Sequence, residues 1–125
     1  MKCVYVAGSY SADNVLQVFE NMRKGIKMSS FLFQNGYAPF CPWLDYHFCL
    51  MKEDNDKLTV EMFYEYSIAW LLKSDALLVL PDSEQSKGTV GEIELAQLYD
   101  IPVFYSFEDM DYHFKIQQNG ATREN

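Results

Sequence analysis

The chain has 125 residues, of which 49% are hydrophobic and 16% aromatic, and its formal net charge is −8. This length suits one domain with one core, and this composition is typical of a globular protein rather than a disordered one. A net negative charge without a basic patch argues against binding to nucleic acid, and no apolar run is long enough to span a membrane. Three cysteines and the lack of an export signal after Met1 predict a cytoplasmic protein.

The first part of the chain predicts a strand, a helix and a second strand. Residues 2–7 form an apolar strand that runs into a tight turn at Gly8, Ser9 and Tyr10. A helix follows, and its apolar side chains recur at helical spacing: Val15, Val18, Phe19, Met22, Ile26 and Phe33. Residues 37–40 then form a short second strand.

The remainder predicts the same alternation of helices and strands. Residues 41–57 are irregular and long enough for a functional loop over the sheet edge. A helix begins after Thr59, and its spacing turns Ser67 inward. Residues 76–80 are continuously apolar, as buried parallel strands are. A helix at residues 89–99, a strand at 102–105 and a last helix at 107–116 complete the chain, so we expect one domain over residues 1–125 with a frayed tail from about residue 117.

This alternation predicts an α/β fold with a doubly wound, mostly parallel sheet of four or five strands, a flavodoxin-like or Rossmann-like three-layer sandwich. Right-handed crossovers would bring three regions to the carboxyl edge of the sheet, where such folds bind ligands. These regions are the turn from Gly8 to Tyr10, the turn at Pro81 and Asp82, and the helix that carries Glu92. The sequence therefore predicts ligand contacts at this edge.

Glu92 has two interpretations from the residues alone. At a ligand-binding edge its carboxylate can act on a sugar phosphate or a nucleoside. Thr89 and Glu92 also have the spacing of a capping box, in which both residues would only cap a helix. Before them, Ser86, Lys87 and Gly88 offer a hydroxyl, a positive charge and backbone N–H groups to a phosphate, although a solvated lysine is an equally ordinary interpretation.

Four segments together make the chain resemble the nucleoside 2-deoxyribosyltransferase-like family, which includes the deoxynucleoside 5′-monophosphate N-glycosidases. They are residues 5–10, 35–40, 74–75 and 86–92, and the resemblance covers residues 2–105. It implies cleavage of the N-glycosidic bond between a base and a ribose or deoxyribose. In that chemistry a carboxylate attacks the sugar and holds it covalently, before another base or water completes the turnover.

The resemblance implies that Glu92 is the nucleophile and that the hydroxyl of Tyr5 orients it. Gly8 and Ser9 match the turn that the substrate approaches. Ser67 departs from the family pattern, because an aspartate that assists departure of the base commonly occupies its place. Since a serine hydroxyl is a poor proton donor, the alternative is a protein that binds a nucleotide or an ADP-ribose-like ligand without turnover.

We expect no cofactor and no metal. Cys41, His47 and Cys49 lie close together in the sequence, but their spacing matches no usual zinc pattern. The aromatic residues Trp43 and Tyr46 suit a hydrophobic lid, a surface on which a base stacks, or a contact between subunits. The resemblance and the aromatic excess predict a homodimer or tetramer whose small-molecule partner is a nucleoside or nucleotide.

Overall fold

The sheet places the carboxyl ends of its strands at one edge. The computed structural model describes residues 1–124, and the surroundings of side chains as far as Asn119. Within this part, four parallel strands lie in the spatial order β2-β1-β3-β4. They are β1 (Cys3–Ala7), β2 (Ala38–Phe40), β3 (Ala76–Val79) and β4 (Val103–Phe104).

Helices cover both faces of this sheet. They are α1 (Val15–Gln34), a short 3-10 helix (Pro42–Asp45), α2 (Tyr46–Leu50), α3 (Val60–Leu71), α4 (Lys87–Leu98) and α5 (Phe107–Glu124). Helices α1 and α5 pack on one face, and α3 and α4 pack on the other. The predicted α/β three-layer fold with a parallel sheet is therefore confirmed.

Strand β1 is buried on both sides because its side chains alternate between the two faces. Val4 and Val6 belong to the core beneath α1 and α5. Tyr5 and Ala7 belong to the core beneath α3 and α4. This alternation directs the aromatic ring of Tyr5 toward the two helices that carry Ser67 and Glu92.

The start of α4 differs from the prediction in a way that concerns Glu92. The helix begins at Lys87, and the Ser86 hydroxyl accepts a hydrogen bond from the backbone N–H of Thr89 at 3.2 Å. Ser86 is therefore the N-cap, and the first turn of α4 contains no acidic residue. Glu92 lies in the second turn, so the expected capping box of Thr89 and Glu92 is wrong.

Two other predicted segments have more regular structure than expected. Residues 41–57 include the 3-10 helix and α2 rather than a continuous loop, because Trp43 is only 1% exposed and fixes the chain against the core. Helix α5 continues past residue 116 to Glu124. The predicted fraying from residue 117 concerns in part Asn125 and the side chains after Asn119, which lie outside the described residues.

Most of the predicted apolar stripe of α1 does not face the core, although Met22 packs against it. Phe19 is 58% exposed and Phe33 is 72% exposed. The residues that α1 buries are small or polar, apart from one leucine: Asn21, Gly25, Ser29 and Leu32. No helix in the part of the chain that the structure describes is both long and apolar enough to cross a bilayer.

Candidate functional site

Three side chains from three different elements meet on the face of the sheet covered by α3 and α4. The hydroxyl of Tyr5, on β1, donates a hydrogen bond to the carboxylate of Glu92, on α4. The hydroxyl of Ser67, on α3, in turn hydrogen-bonds to Tyr5. The structure thus brings together the three residues predicted to be catalytic, with Tyr5 as the link between the other two.

Burial controls the electrostatics of this cluster. It raises the pKa of Glu92 to about 7, and the hydrogen bond from Tyr5 opposes that rise. Burial, followed by the nearby charge of Glu92, raises the pKa of Tyr5 above its usual range. Tyr5 therefore remains a neutral donor at physiological pH, whereas Glu92 changes its charge near neutrality. A carboxyl group tuned in this way is typical of active sites.

The turn after β1 is fixed by packing. A Cβ atom at Gly8 would lie 2.7 Å from Cδ1 of Leu80 and 3.0 Å from the Trp43 ring, so a larger residue would force these two side chains to shift. The backbone N–H of Ser9 donates to Ser83 Oγ at 3.1 Å, and its carbonyl accepts from Trp43 Nε1 at 3.0 Å. Gly8 and Ser9 thus shape the turn, and their contact with substrate stays a prediction.

Ser83 is a structural member of this edge that the sequence analysis missed. Its side chain is only 5% exposed, and it joins the turn after β1 to the turn after β3. The signal in the sequence was its position directly after Pro81 and Asp82, at the end of an apolar strand. Asp82 itself is exposed and has a φ of 62°, an uncommon conformation for a residue other than glycine.

The N-terminus of α4 lies at the same edge of the sheet. The Ser86 hydroxyl is occupied, because it donates to Thr89 Oγ1 at 2.7 Å and accepts from the Thr89 backbone N–H. Lys87 is exposed, and a Cβ atom at Gly88 would meet no atom within 4 Å. Gly88 therefore has open space beside it, and the positive end of the α4 dipole lies at this edge.

A cavity of about 290 Å³ lies beside the Tyr5 ring. The residues that line it include Phe40, Asp45, Phe48 and Tyr66. Phe40 stacks on Tyr5 with the ring centroids 5.3 Å apart, so only one ring separates the cavity from Tyr5. Sequence reasoning did not assign Asp45 to the site.

Asp45 is tied to the turn after β1. The hydroxyl of Tyr10 donates to Asp45 Oδ1 at 3.3 Å. Burial raises the pKa of Asp45, and the hydrogen bond from Tyr10 counteracts this effect. Tyr10, predicted to contact substrate, thus lies at the edge of the same region as the cavity.

The buried face of α1 supports these elements, which explains its unusual composition. The side-chain amide of Asn21 donates to the carbonyl of Tyr10 at 3.2 Å. A Cβ atom at Gly25 would collide with the indole ring of Trp43. Ser29 bonds to the Gly25 carbonyl at 2.8 Å and also hydrogen-bonds to Cys41. Because this face of α1 packs mainly through small and polar residues, the spacing of apolar residues does not identify it.

Other expectations for residues 41–49 need correction or remain open. Trp43 is buried beneath Gly8 and Gly25, so it is neither a lid nor a stacking surface for a base. Tyr46 stacks on His47 with the centroids 4.3 Å apart. Among the described residues, no group of three or more His, Cys, Asp or Glu side chains could hold a metal ion.

Solved structures share the fold. A 2-deoxyribosyltransferase from the psychrotolerant bacterium Bacillus psychrosaccharolyticus aligns over 81% of this chain and 69% of its own, with a TM-score of 0.60 and 16% identity. A conserved protein from Enterococcus faecalis V583 aligns over 82% of this chain, with a TM-score of 0.63 and 20% identity. The chain spans 61% of the Enterococcus protein. The fold is therefore one that a deoxyribosyltransferase also uses.

The sequence itself identifies the family. Residues 2–106 match the family described as Domain of unknown function (DUF7768), and the chain belongs to that family. No curated protein matches the chain at a significant level.

Proposed function

We propose that the protein cleaves the N-glycosidic bond of a nucleoside or deoxynucleoside, or of its 5′-monophosphate, and transfers the sugar to another base or to water. One observation carries this proposal: the carboxylate of Glu92 is partly buried and receives a hydrogen bond from Tyr5 at the ligand-binding edge of the sheet. The fold shared with a 2-deoxyribosyltransferase supports the substrate class.

In the proposed first step, ionised Glu92 attacks the anomeric carbon of the sugar. A carbon–oxygen bond forms, and the electron pair of the carbon–nitrogen bond leaves with the base. In the second step, water or an acceptor base attacks the same carbon and releases the Glu92 carboxylate. Tyr5 fixes the orientation of Glu92 in both steps, and Ser67 acts as a positioning residue through its hydrogen bond to Tyr5.

The remaining predicted residues would hold the sugar and the phosphate. Gly8, Ser9, Tyr10 and Asp82 surround the carboxyl edge of the sheet and would contact the sugar. The N-terminus of α4 would bind a 5′-phosphate through its backbone N–H groups, with Lys87 as a nearby positive charge and Gly88 leaving room for the anion. Ser86 would contribute mainly as the cap that fixes this helix end.

The proposal is tested by incubating the protein with a panel of nucleosides and 5′-monophosphates, with and without a free acceptor base, and following the bases by chromatography. We expect release or exchange of base by the natural chain and its loss in Glu92→Gln. The matched control is Glu94→Gln, because Glu94 is exposed on the same helix. Equal activity in the two variants would contradict the role of Glu92.

A second candidate function is binding of a nucleotide or an ADP-ribose-like ligand without turnover. The observation that favours it is Ser67, which binds Tyr5 and supplies a hydroxyl where the resembled family commonly has a carboxylate. Tight binding with no base released over hours would support it. Ser67→Asp would then create or increase base release.

We also propose that the protein forms a homodimer or tetramer through the side of α3 that carries Met62, Tyr66 and Trp70. These side chains are 49%, 36% and 49% exposed, and their spacing of four residues places them on one side of the helix. A second copy of the chain is the proposed occupant, because α3 also carries Tyr66 at the wall of the cavity and burial of this face would close that side. Sedimentation should show an oligomer that Met62→Glu dissociates, and a natural chain that sediments as a monomer would contradict it.

A further inference from the structure

The cavity beside Tyr5 contains a carboxylate that the proposed reaction does not use. We propose that this cavity receives the nucleobase and that Asp45 selects bases with an exocyclic amino group, such as adenine or cytosine, over those with a carbonyl in its place, such as hypoxanthine or uracil. The inference rests on the proposed function for the class of ligand. Asp45 would thus be a specificity-determining residue.

The size and walls of the cavity suit a flat heterocycle. Its volume of about 290 Å³ lies just below the roughly 300–1,000 Å³ of small-molecule sites. Phe40 and Tyr66 have centroids 5.8 Å apart, and Phe48 meets Tyr66 edge-on at 5.4 Å. Phe40 already stacks on Tyr5 and Trp70, so a base would meet its edge and would pack mainly on Phe48 and Tyr66. Aromatic rings tolerate different bases, so these walls would supply affinity without selecting one.

The position of the cavity agrees with the proposed position of the sugar. Phe40 lines the cavity and stacks on Tyr5, and Tyr5 hydrogen-bonds to Glu92. The cavity therefore adjoins the pair of Tyr5 and Glu92 across the Phe40 ring, and the sugar of a base held there would have to pass the edge of this ring to reach Glu92.

Asp45 is held in a defined place, as a selective contact requires. It ends the 3-10 helix that Trp43 anchors through a hydrogen bond from its indole N–H to the Ser9 carbonyl at 3.0 Å. Although Asp45 directly precedes α2, its side chain does not cap that helix. The carboxylate instead lines the cavity and accepts a hydrogen bond from Tyr10 through Oδ1.

The chemistry of the carboxylate gives the direction of selectivity. An ionised carboxylate only accepts hydrogen bonds, so it attracts an amino group and repels the lone pairs of a carbonyl. With Tyr10 on Oδ1, the second oxygen of Asp45 is the atom proposed to accept from the base. Because a partly buried site has a low dielectric constant, the difference between the two bases exceeds that in water.

The test measures binding of free bases by titration calorimetry, since a free base has no glycosidic bond to cleave. We expect the natural chain to bind the amino member of at least one pair, adenine with hypoxanthine or cytosine with uracil, about 10- to 100-fold more tightly. Asp45→Ala should bring that ratio to within about twofold. Tyr10→Phe should lower it by a smaller factor, and Glu61→Gln, an exposed acid in the first turn of α3, should leave it unchanged.

Three outcomes would overturn the inference: no binding of any of the four bases, equal binding within both pairs, or an unchanged ratio in folded Asp45→Ala. Circular dichroism checks that each variant is folded. Selective binding without any cleavage of nucleosides or nucleotides would contradict the proposed function and support the selectivity of Asp45. Cleavage of nucleosides or nucleotides with the same selectivity in Asp45→Ala as in the natural chain would support the proposed function and contradict the selectivity of Asp45.

Discussion

The hydroxyl of Tyr5 donates a hydrogen bond to Glu92, and this bond joins the inner strand β1 to the second turn of α4. It opposes the effect of burial on the Glu92 carboxyl group, which would otherwise favour its neutral form. Because a nucleophilic carboxylate must be ionised, Tyr5 affects both the orientation and the charge of Glu92. The protonation state of this pair is therefore open to direct measurement.

Tyr5→Phe should shift the pH dependence of base release. Loss of the hydrogen bond removes an effect that lowers the pKa of Glu92, so the pKa rises above about 7. The acidic limb of the profile of kcat/KM should then move to higher pH, and activity at pH 7 should fall by about 10- to 100-fold. A limb that stays in place or moves to lower pH would show that Tyr5 does not tune Glu92.

Glu92→Gln should increase the stability of the fold at pH 8. A carboxyl group whose pKa rises from 4.5 when unfolded to about 7 when folded binds protons more strongly in the folded state. Its contribution to stability is therefore lost as the pH rises between those two values. Urea unfolding should show a gain of up to about 3 kcal/mol for the variant at pH 8 relative to pH 4.5. An equal difference at both pH values would contradict the assigned pKa.

Gly25→Ala should destabilise the protein by roughly 1–3 kcal/mol, because the added methyl group would overlap the Trp43 ring. Gly91→Ala is the matched control. Gly91 lies within α4, and a Cβ atom there would meet no atom within 4 Å. Since alanine favours a helix more than glycine does, this change should stabilise the protein by about 0.5–1 kcal/mol. Thermal unfolding measures both changes, and equal effects of the two substitutions would mean that Trp43 does not pack as described.

Lys87→Ala should affect phosphorylated substrates selectively. Lys87 is exposed beside the open N-terminus of α4, so its charge is partly screened by solvent. We expect kcat/KM for 5′-monophosphates to fall by about three- to tenfold, with that for nucleosides unchanged. An equal loss for both substrate types would place the phosphate elsewhere.

The sequence predicted the fold because its signals are local and strong. The continuous apolar run from Ala76 and the alternation of helices and strands define a parallel sheet before any contact is known. The same topology predicts that the turn after β1 and Glu92 approach one edge, whereas the pairing of Tyr5 with Glu92 is implied by the family resemblance. Their hydrogen bond, and the second-turn position of Glu92, depend on Ser86 rather than Thr89 forming the cap.

The features that the sequence did not reveal depend on contacts between distant residues. In the sequence, Asp45 is a single polar residue among aromatic ones. Its hydrogen bond from Tyr10 and its position in the cavity lining, which mark it as a candidate site residue, are visible only in the structure. Asn21 and Gly25 interrupt the apolar pattern of α1 because they hold the turn after β1 and accommodate Trp43. Contacts of this kind follow no regular spacing along the chain, so the sequence pattern does not predict them.

The central claim is that Glu92 forms a covalent bond to the sugar. Mass spectrometry of the peptide that contains Glu92, after rapid acid quenching of the protein mixed with a cleaved nucleoside or nucleotide, tests it directly. We expect a sugar attached at Glu92 in the natural chain and in Glu94→Gln, and none in Glu92→Gln. Base release at an undiminished rate in Glu92→Gln, with no sugar attached to this peptide in any of the proteins, would contradict it.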